Sequence, residues 1–251
     1  MAYCARRSLA VALASVALAG PASAGEVLTP IARCLVDGTS IEMPVTADPS
    51  TGGWLIDNWY YSSAEVQITL SALLDPDPQI VYAASVIDFG APSSFGFVFQ
   101  QAIVPTPAPG SVSHSHSSST TNGGGLDTPV GALPPPFGIP VDADGIPEIS
   151  VYTVSTDGGG SFLNAGLDLS PSFTGAAPSD TQGAFNPAAI AGPAGAGFYD
   201  LMRIDINFSM DGGSDAYTFN GIAEVVPEPA TALLLGLGLA GLGVARRTRR
   251  P

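Results

Sequence analysis

The sequence predicts an all-β chain: an antiparallel β-sandwich with long Gly-, Pro- and Ser-rich loops, carried between an N-terminal signal helix and a C-terminal transmembrane helix. Three observations predict it. Apolar residues between the two ends recur at every second position, as in half-buried strands, and not at helical spacing. The apolar runs are short and are separated by Gly, Pro and Asp clusters, which form turns. No amphipathic helix pattern interrupts this alternation, so no helix layer is expected over the sheets.

The chain opens with Arg6 and Arg7, an apolar run from Ser8 to Gly20, and Ala22-Ser23-Ala24. A basic start, an apolar centre and a small-residue cleavage site make residues 1–24 a secretory signal peptide, read by the Sec machinery and cut by signal peptidase. The body then spans 25–226, a length that suits one all-β domain. Cys4 leaves with the signal, so Cys34 is the body's lone thiol. Ile31, Leu35 and Val36 around it favour a buried small hydrophobe over an intermolecular bridge or a reactive thiol.

Weaker strands are predicted at Ser40 to Thr46 and Trp54 to Tyr61. The next is clear: Val66, Ile68, Leu70, Ala72 and Leu74 alternate with Glu65, Gln67, Thr69 and Ser71. The stiff turn Asp75-Pro76-Asp77-Pro78 leads to a strand over Ile80 to Phe89. Phe95, Phe97, Phe99 and Ile103 mark another. Ile149, Val151 and Thr153, then Asp157-Gly158-Gly159-Gly160-Ser161, then Leu163, Ala165, Leu167 and Leu169 read as a hairpin. Met202, Ile204, Ile206, Phe208 and Met210 face one way, against Arg203, Asp205, Asn207 and Ser209. The turn Asp211-Gly212-Gly213-Ser214-Asp215 returns the chain into Ala216 to Val225. A one-residue slip would send Ile204 and Phe208 to water, so this register is strongly specified. Residues 105–147 and 173–197 are low-complexity stretches expected as long loops. One piece, where Val112, His114, His116 and Ser118 alternate with serines, has strand periodicity.

Charge separates cargo from address. The whole chain has a formal charge of −14, and no lysine. The body holds 21 acidic residues against Arg33 and Arg203, a balance of −19. Such a surface repels nucleic acid and anionic lipid, and can hold divalent cations loosely.

The body names no activity. There is no G-x-S-x-G elbow, and a catalytic triad would need a histidine from the serine run. Glycoside hydrolysis needs two carboxylates, and nothing marks a pair among so many. His114 and His116 would share a strand face about 7 Å apart, but the serines beside them add no further zinc ligand; a solvated low-complexity segment is the plainer reading. Asp142-Ala143-Asp144-Gly145 resembles the start of an EF-hand loop, but its glycine comes too early and Glu148 is too close. An irregular calcium site would draw on Asp142, Asp144, Asp211 and Asp215, against ordinary Asp–Gly turns. Trp54, Trp59, Tyr60 and Tyr61 are the densest aromatic group. By alternation Trp54, Ile56, Asn58 and Tyr60 share one face and Leu55, Asp57, Trp59 and Tyr61 the other, so at least one large ring is available to stack on a sugar, with core packing as the commoner use of such rings.

The tail is the most specific stretch. Pro227 and Pro229 in Val226-Pro227-Glu228-Pro229 fix φ and favour an extended neck. Ala230 to Ala245 is apolar apart from Thr231, and as a helix it reaches roughly 24 Å, short of the roughly 30 Å hydrocarbon core. Arg246, Arg247, Arg249 and Arg250 resist translocation and hold the end in the cytoplasm. Pro-Glu-Pro, an apolar span and a terminal arginine cluster over residues 227–251 resemble the PEP-CTERM sorting signal of Gram-negative bacteria. That resemblance implies an exosortase partner, cleavage near the tripeptide, a transient stay in the inner membrane, delivery to the cell surface or extracellular matrix, and an association with exopolysaccharide and biofilm. The run from Leu74 to Phe99 also looks like a block found in uncharacterised PEP-CTERM proteins, which implies strand–turn–strand there and a further strand over Ser111 to Thr120, and no chemistry. The expected role is therefore a non-enzymatic secreted matrix or surface protein. A carbohydrate-binding or adhesive module comes next, and an extracellular hydrolase last.

Overall fold

The computed structural model describes residues 30–108, 110–123, 130–133, 149–165, 179–185, 190–194 and 197–226. The expected signal peptide over 1–24, Asp142 and Asp144, the Pro227-Glu228-Pro229 neck, the 230–245 segment and the terminal arginines lie outside them. Among the described residues no helix is long and apolar enough to cross a membrane, and the regular structure is strand throughout.

In chain order the strands are β1 (Ile31–Val36), β2 (Thr39–Glu42), β3 (Thr46–Ala47), β4 (Trp54–Ser62), β5 (Val66–Asp75), β6 (Gln79–Asp88), β7 (Ser93–Pro107), β8 (Ser111–Thr121), β9 (Val130–Ala132), β10 (Ser150–Ser155), β11 (Leu163–Asn164), β12 (Ser179–Phe185), β13 (Ile190–Ala191), β14 (Phe198–Met210) and β15 (Asp215–Val226). They form two antiparallel sheets. The first has the order β11-β10-β14-β7-β1-β2, with β9 following β10 along the same edge of β14. The second has the order β12-β8-β15-β6-β5-β4-β3, with β13 also on β8. The chain changes sheets at the β2–β3, β6–β7, β7–β8, β8–β9, β11–β12, β13–β14 and β14–β15 connections.

The predicted alternation sets the register. Val66, Ile68, Leu70, Ala72 and Leu74 of β5 all face inward, as do Ile80, Tyr82, Ala84 and Val86 of β6. Ile204, Ile206 and Phe208 of β14 are fully buried. Aromatic rings join the sheets: Phe208 meets Tyr217 edge-on at 4.7 Å between centroids, Phe97 meets Phe219 at 5.5 Å, and Tyr82 stacks on Phe99 at 5.8 Å. Offset and edge-on geometries at these separations are the favoured ones for aromatic pairs.

Three expectations need correction. The further strand expected over Ser111 to Thr120 is present as β8, but the rest of the stretches expected as loops carry strands too: β7 runs to Pro107, β9 lies within 105–147, and β12 and β13 lie within 173–197. Low hydrophobicity misled here because β8 pairs through its backbone on both edges, and the Ser113 and Ser117 hydroxyls add bonds to Glu224 and Asn220 of β15. The segment holding His114 and His116 is not solvated; it is an interior strand between β15 and β12, and both histidines are 0% exposed. The third correction concerns β4. Its pairing with β5 shifts between Ile56 and Trp59, and Asn58 sits at φ 47°. This bulge reverses the alternation beyond it.

Candidate functional site

Because β4, β5, β6, β15 and β8 are neighbours in register, their solvent-facing residues line up in rows across the second sheet. One row runs Leu55, Leu73, Val81, Ile222, Ser115. Two residues further along each of the inner strands runs Ser71, Ala83, Asn220, Ser117, flanked by Asn58 of the bulge. The third runs Tyr60, Thr69, Ser85, Thr218, Ser119. Neighbouring rows lie about 7 Å apart and neighbouring strands about 4.8 Å apart.

The first two rows border a hollow of about 540 Å³, with Leu55, Leu73, Val81 and Ile222 as its apolar part and Ser71, Ser115 and Asn220 as its polar part. It continues into a second hollow of about 270 Å³ bounded by Asn58, Thr69, Ser85 and Thr218. No charged side chain borders either one. The polar groups are held in place. Ser85 and Thr218 hydroxyls lie 3.1 Å apart, the Ser117 hydroxyl donates to Asn220 Oδ1 at 2.9 Å, and the Ser71 hydroxyl accepts from the Asn58 N–H at 3.2 Å.

The bulge decides which aromatic ring faces this surface. Trp54 and Ile56 pair with Leu74 and Ala72; beyond the bulge Trp59 and Tyr61 pair with Leu70 and Ile68. All four therefore face the core. Trp59 and Tyr61 stack on each other at 6.2 Å and pack against the core's edge. Only Tyr60 of the predicted aromatic set projects outward, 56% exposed, at the end of the hydroxyl row.

Behind this face lies a buried polar cluster that sequence reasoning missed. Gly221 makes it possible: a Cβ there would collide with the Tyr82 ring. Without one, Tyr82 crosses β15 and its hydroxyl reaches β8, 3.0 Å from His116 Nδ1 and 3.2 Å from His114 Nε2. Ser150 of the opposite sheet is 3.2 Å from His114 Nε2, and the Tyr217 hydroxyl is 3.2 Å from His116 Nε2. A phenol has one proton, so Tyr82 donates to at most one of His114, His116 and Ser150 and accepts from the others. Burial, then the neighbouring His114, push the His116 pKa down to about 3; burial pushes the Tyr82 hydroxyl well up. His116 and Tyr82 are both neutral at ordinary pH. The Ser150–His114 contact has the atoms of a nucleophile–base pair, yet Ser150, His114 and His116 are all 0% exposed, so no substrate reaches it in the folded state. The period-two histidines were its visible signal; their partners come from strands remote in sequence.

Cys34 is 0% exposed, and burial raises its thiol to about 12, which makes it an inert core residue. Of the predicted acidic positions, Asp211 is exposed and Asp215 is buried. Among the described residues no three metal-ligating His, Cys, Asp or Glu side chains converge.

The last described residue, Val226, ends β15 while still paired with Ser111 of β8. From there the chain matches the PEP-CTERM protein-sorting motif, over residues 225–250. The motif overlaps the end of the folded body by two residues and covers the neck, the apolar segment and all four terminal arginines. It implies export, membrane anchoring before cleavage, and exosortase as the processing partner. No curated protein matches the chain.

Proposed function

We propose that this exported protein is a non-enzymatic component of the cell surface or extracellular matrix whose body grips a neutral polysaccharide on the outer face of the second sheet. The observation that supports this reading is the uncharged triple row across β4, β5, β6, β15 and β8. In a chain of net charge −14, two adjoining hollows lined without carboxylates stand out, with Asp57 of the bulge and Glu224 of β15 at their margins. A sugar ring offers C–H faces and hydroxyl edges together. The row of Leu55, Leu73, Val81 and Ile222 suits the first, and the rows of hydroxyls and amides suit the second. Tyr60 adds a ring at the end of the hydroxyl row, where a sugar can stack. The expected exopolysaccharide association is carried forward in this form, with a neutral polymer specified because the acidic body repels an anionic one.

The test is affinity electrophoresis of the whole chain in detergent, in gels containing either a neutral or an anionic extracellular polysaccharide. The neutral polymer should retard the protein and the anionic one should not. Tyr60→Ala and Val81→Asp should each weaken retardation about tenfold, equivalent to about 1.4 kcal/mol. Both positions face outward, so the core is untouched. Equal retardation of wild type and both variants would refute the site.

A further inference from the structure

The inward stripe of β6 ends in a carboxylate. After Ile80, Tyr82, Ala84 and Val86 comes Asp88, also 0% exposed. Its cross-strand neighbour on β15 is Asp215, 3% exposed. Two acidic side chains thus face inward side by side at one end of the sandwich, an arrangement that like charges oppose. Asp88 Oδ1 accepts the Gly90 N–H at 3.2 Å, and Asp215 Oδ1 accepts the Gly123 N–H at 2.9 Å. Asp88 Oδ2 is buried and takes up no hydrogen bond of good geometry; the Ser93 hydroxyl beside the carboxylate eases its charge, with its proton shared toward the Ala91 carbonyl at 3.1 Å.

Nothing among the described side chains balances this charge. Arg203 is committed to Asp205 at 2.7 Å, and Arg33 is exposed on β1. Asp37, from the β1–β2 turn of the other sheet, adds repulsion: burial first, then Asp37 and Asp215, raise the pKa of Asp88. An unbalanced buried carboxylate is costly unless a counterion or a proton neutralises it. The carbonyls of Gly213 and Ser214 crowd the same Gly123 whose N–H binds Asp215, and the turn is fixed by the Ser214 N–H to Asp88 carbonyl bond of 2.7 Å.

We infer that Asp88 and Asp215 form a calcium site at this end of the sandwich, completed by turn carbonyls and water. Hard oxygen donors in irregular geometry suit calcium better than the smaller, strictly octahedral magnesium. With two carboxylates and no third converging on them, the affinity belongs to the weak extracellular range, on the order of 10⁻⁴–10⁻³ M. That range is filled outside the cell, where the tail directs this protein.

The test is a calcium titration of the melting temperature, on the full chain in detergent after chelator treatment and at constant ionic strength. Wild type should gain roughly 3–6 °C at tenfold excess over half-saturation, with magnesium giving less. Asp88→Asn should abolish the gain and, without calcium, melt above wild type, because a neutral amide replaces the unbalanced carboxylate. Asp215→Asn should abolish the gain as well and serves if the first variant fails to fold. No calcium response in wild type would overturn the site in favour of a retained proton. A response that persists in both variants would overturn it in favour of ions held elsewhere on the acidic surface.

Discussion

His116 illustrates how one residue can carry a condition of use for the entire fold. Its folded pKa, about 3, lies below the unfolded value near 6.5, so the unfolded chain takes up the proton first. Stability from this group is therefore complete above about pH 6.5 and falls as pH drops from there toward 3. Between pH 7.5 and 4.5 the loss should be about 2–3 kcal/mol. Asp88 acts in the opposite sense, because its raised pKa favours the native state as pH falls through the carboxylate range. The two are separated by comparing urea unfolding of wild type and His116→Gln at both pH values. The variant should be less stable at pH 7.5, and its stability should fall less on acidification. An equal fall in both would show that His116 does not govern acid lability. Cys34 was legible as a core residue because apolar neighbours surround it in sequence. The two histidines were not, because the groups that satisfy them, Tyr82, Ser150 and Tyr217, lie on three other strands.

At the level of elements, two central strands determine the second sheet. β15 is interior although it is the last strand in the body, and at Gly221 it gives up a side chain so that Tyr82 can pass. Gly221→Ala should cost about 1–3 kcal/mol by overpacking, read as a drop in melting temperature of roughly 2–12 °C. Combining it with Tyr82→Ala should cost less than the two separate losses added together, since the second change removes both the hydroxyl and the ring carbon that the new Cβ would meet. Strict additivity would show that the glycine is not there for that ring. The long strands β5, β6, β7 and β14 were readable from period-two alternation. So was the β1–β2 hairpin in principle, since Asp37-Gly38 occupies its two-residue turn with both residues at positive φ, a pairing of residue types that favours a type I′ turn. The β4 bulge was not readable. Asn58 tolerates the left-handed region better than most residues, but an asparagine alone does not announce a bulge, and one extra residue moved Trp59 and Tyr61 to the core and Tyr60 to solvent.

Across the whole molecule, β15 connects the two ends that matter. It starts at the acidic end with Asp215 and finishes at Val226, the residue before the Pro227-Glu228-Pro229 neck. At about 3.4 Å per residue its ends are on the order of 40 Å apart, so the inferred calcium site and Val226 lie at opposite ends of the strand. Pairing of β15 with both β6 and β8 completes the second sheet, so the body cannot finish folding until the residues beside the neck have been exported. Replacing Pro227, Glu228 and Pro229 with alanine should leave the body folded but uncut and held in the inner membrane. Fractionation and the mass of the surface-delivered protein check this, and normal release at the mature mass would refute the role of the tripeptide. The address of this protein was determined by sequence alone, because signal and sorting segments are linear: their physics is hydropathy, charge and stiff prolines within a few dozen consecutive residues. Alternation likewise determined the strand class and the inward stripes. Only tertiary structure decided which strands became neighbours, and with that the charge-free rows, the sealed histidine cluster and the facing Asp88 and Asp215. Each of these depends on register between strands far apart in the chain, and local periodicity contains no information about lateral order.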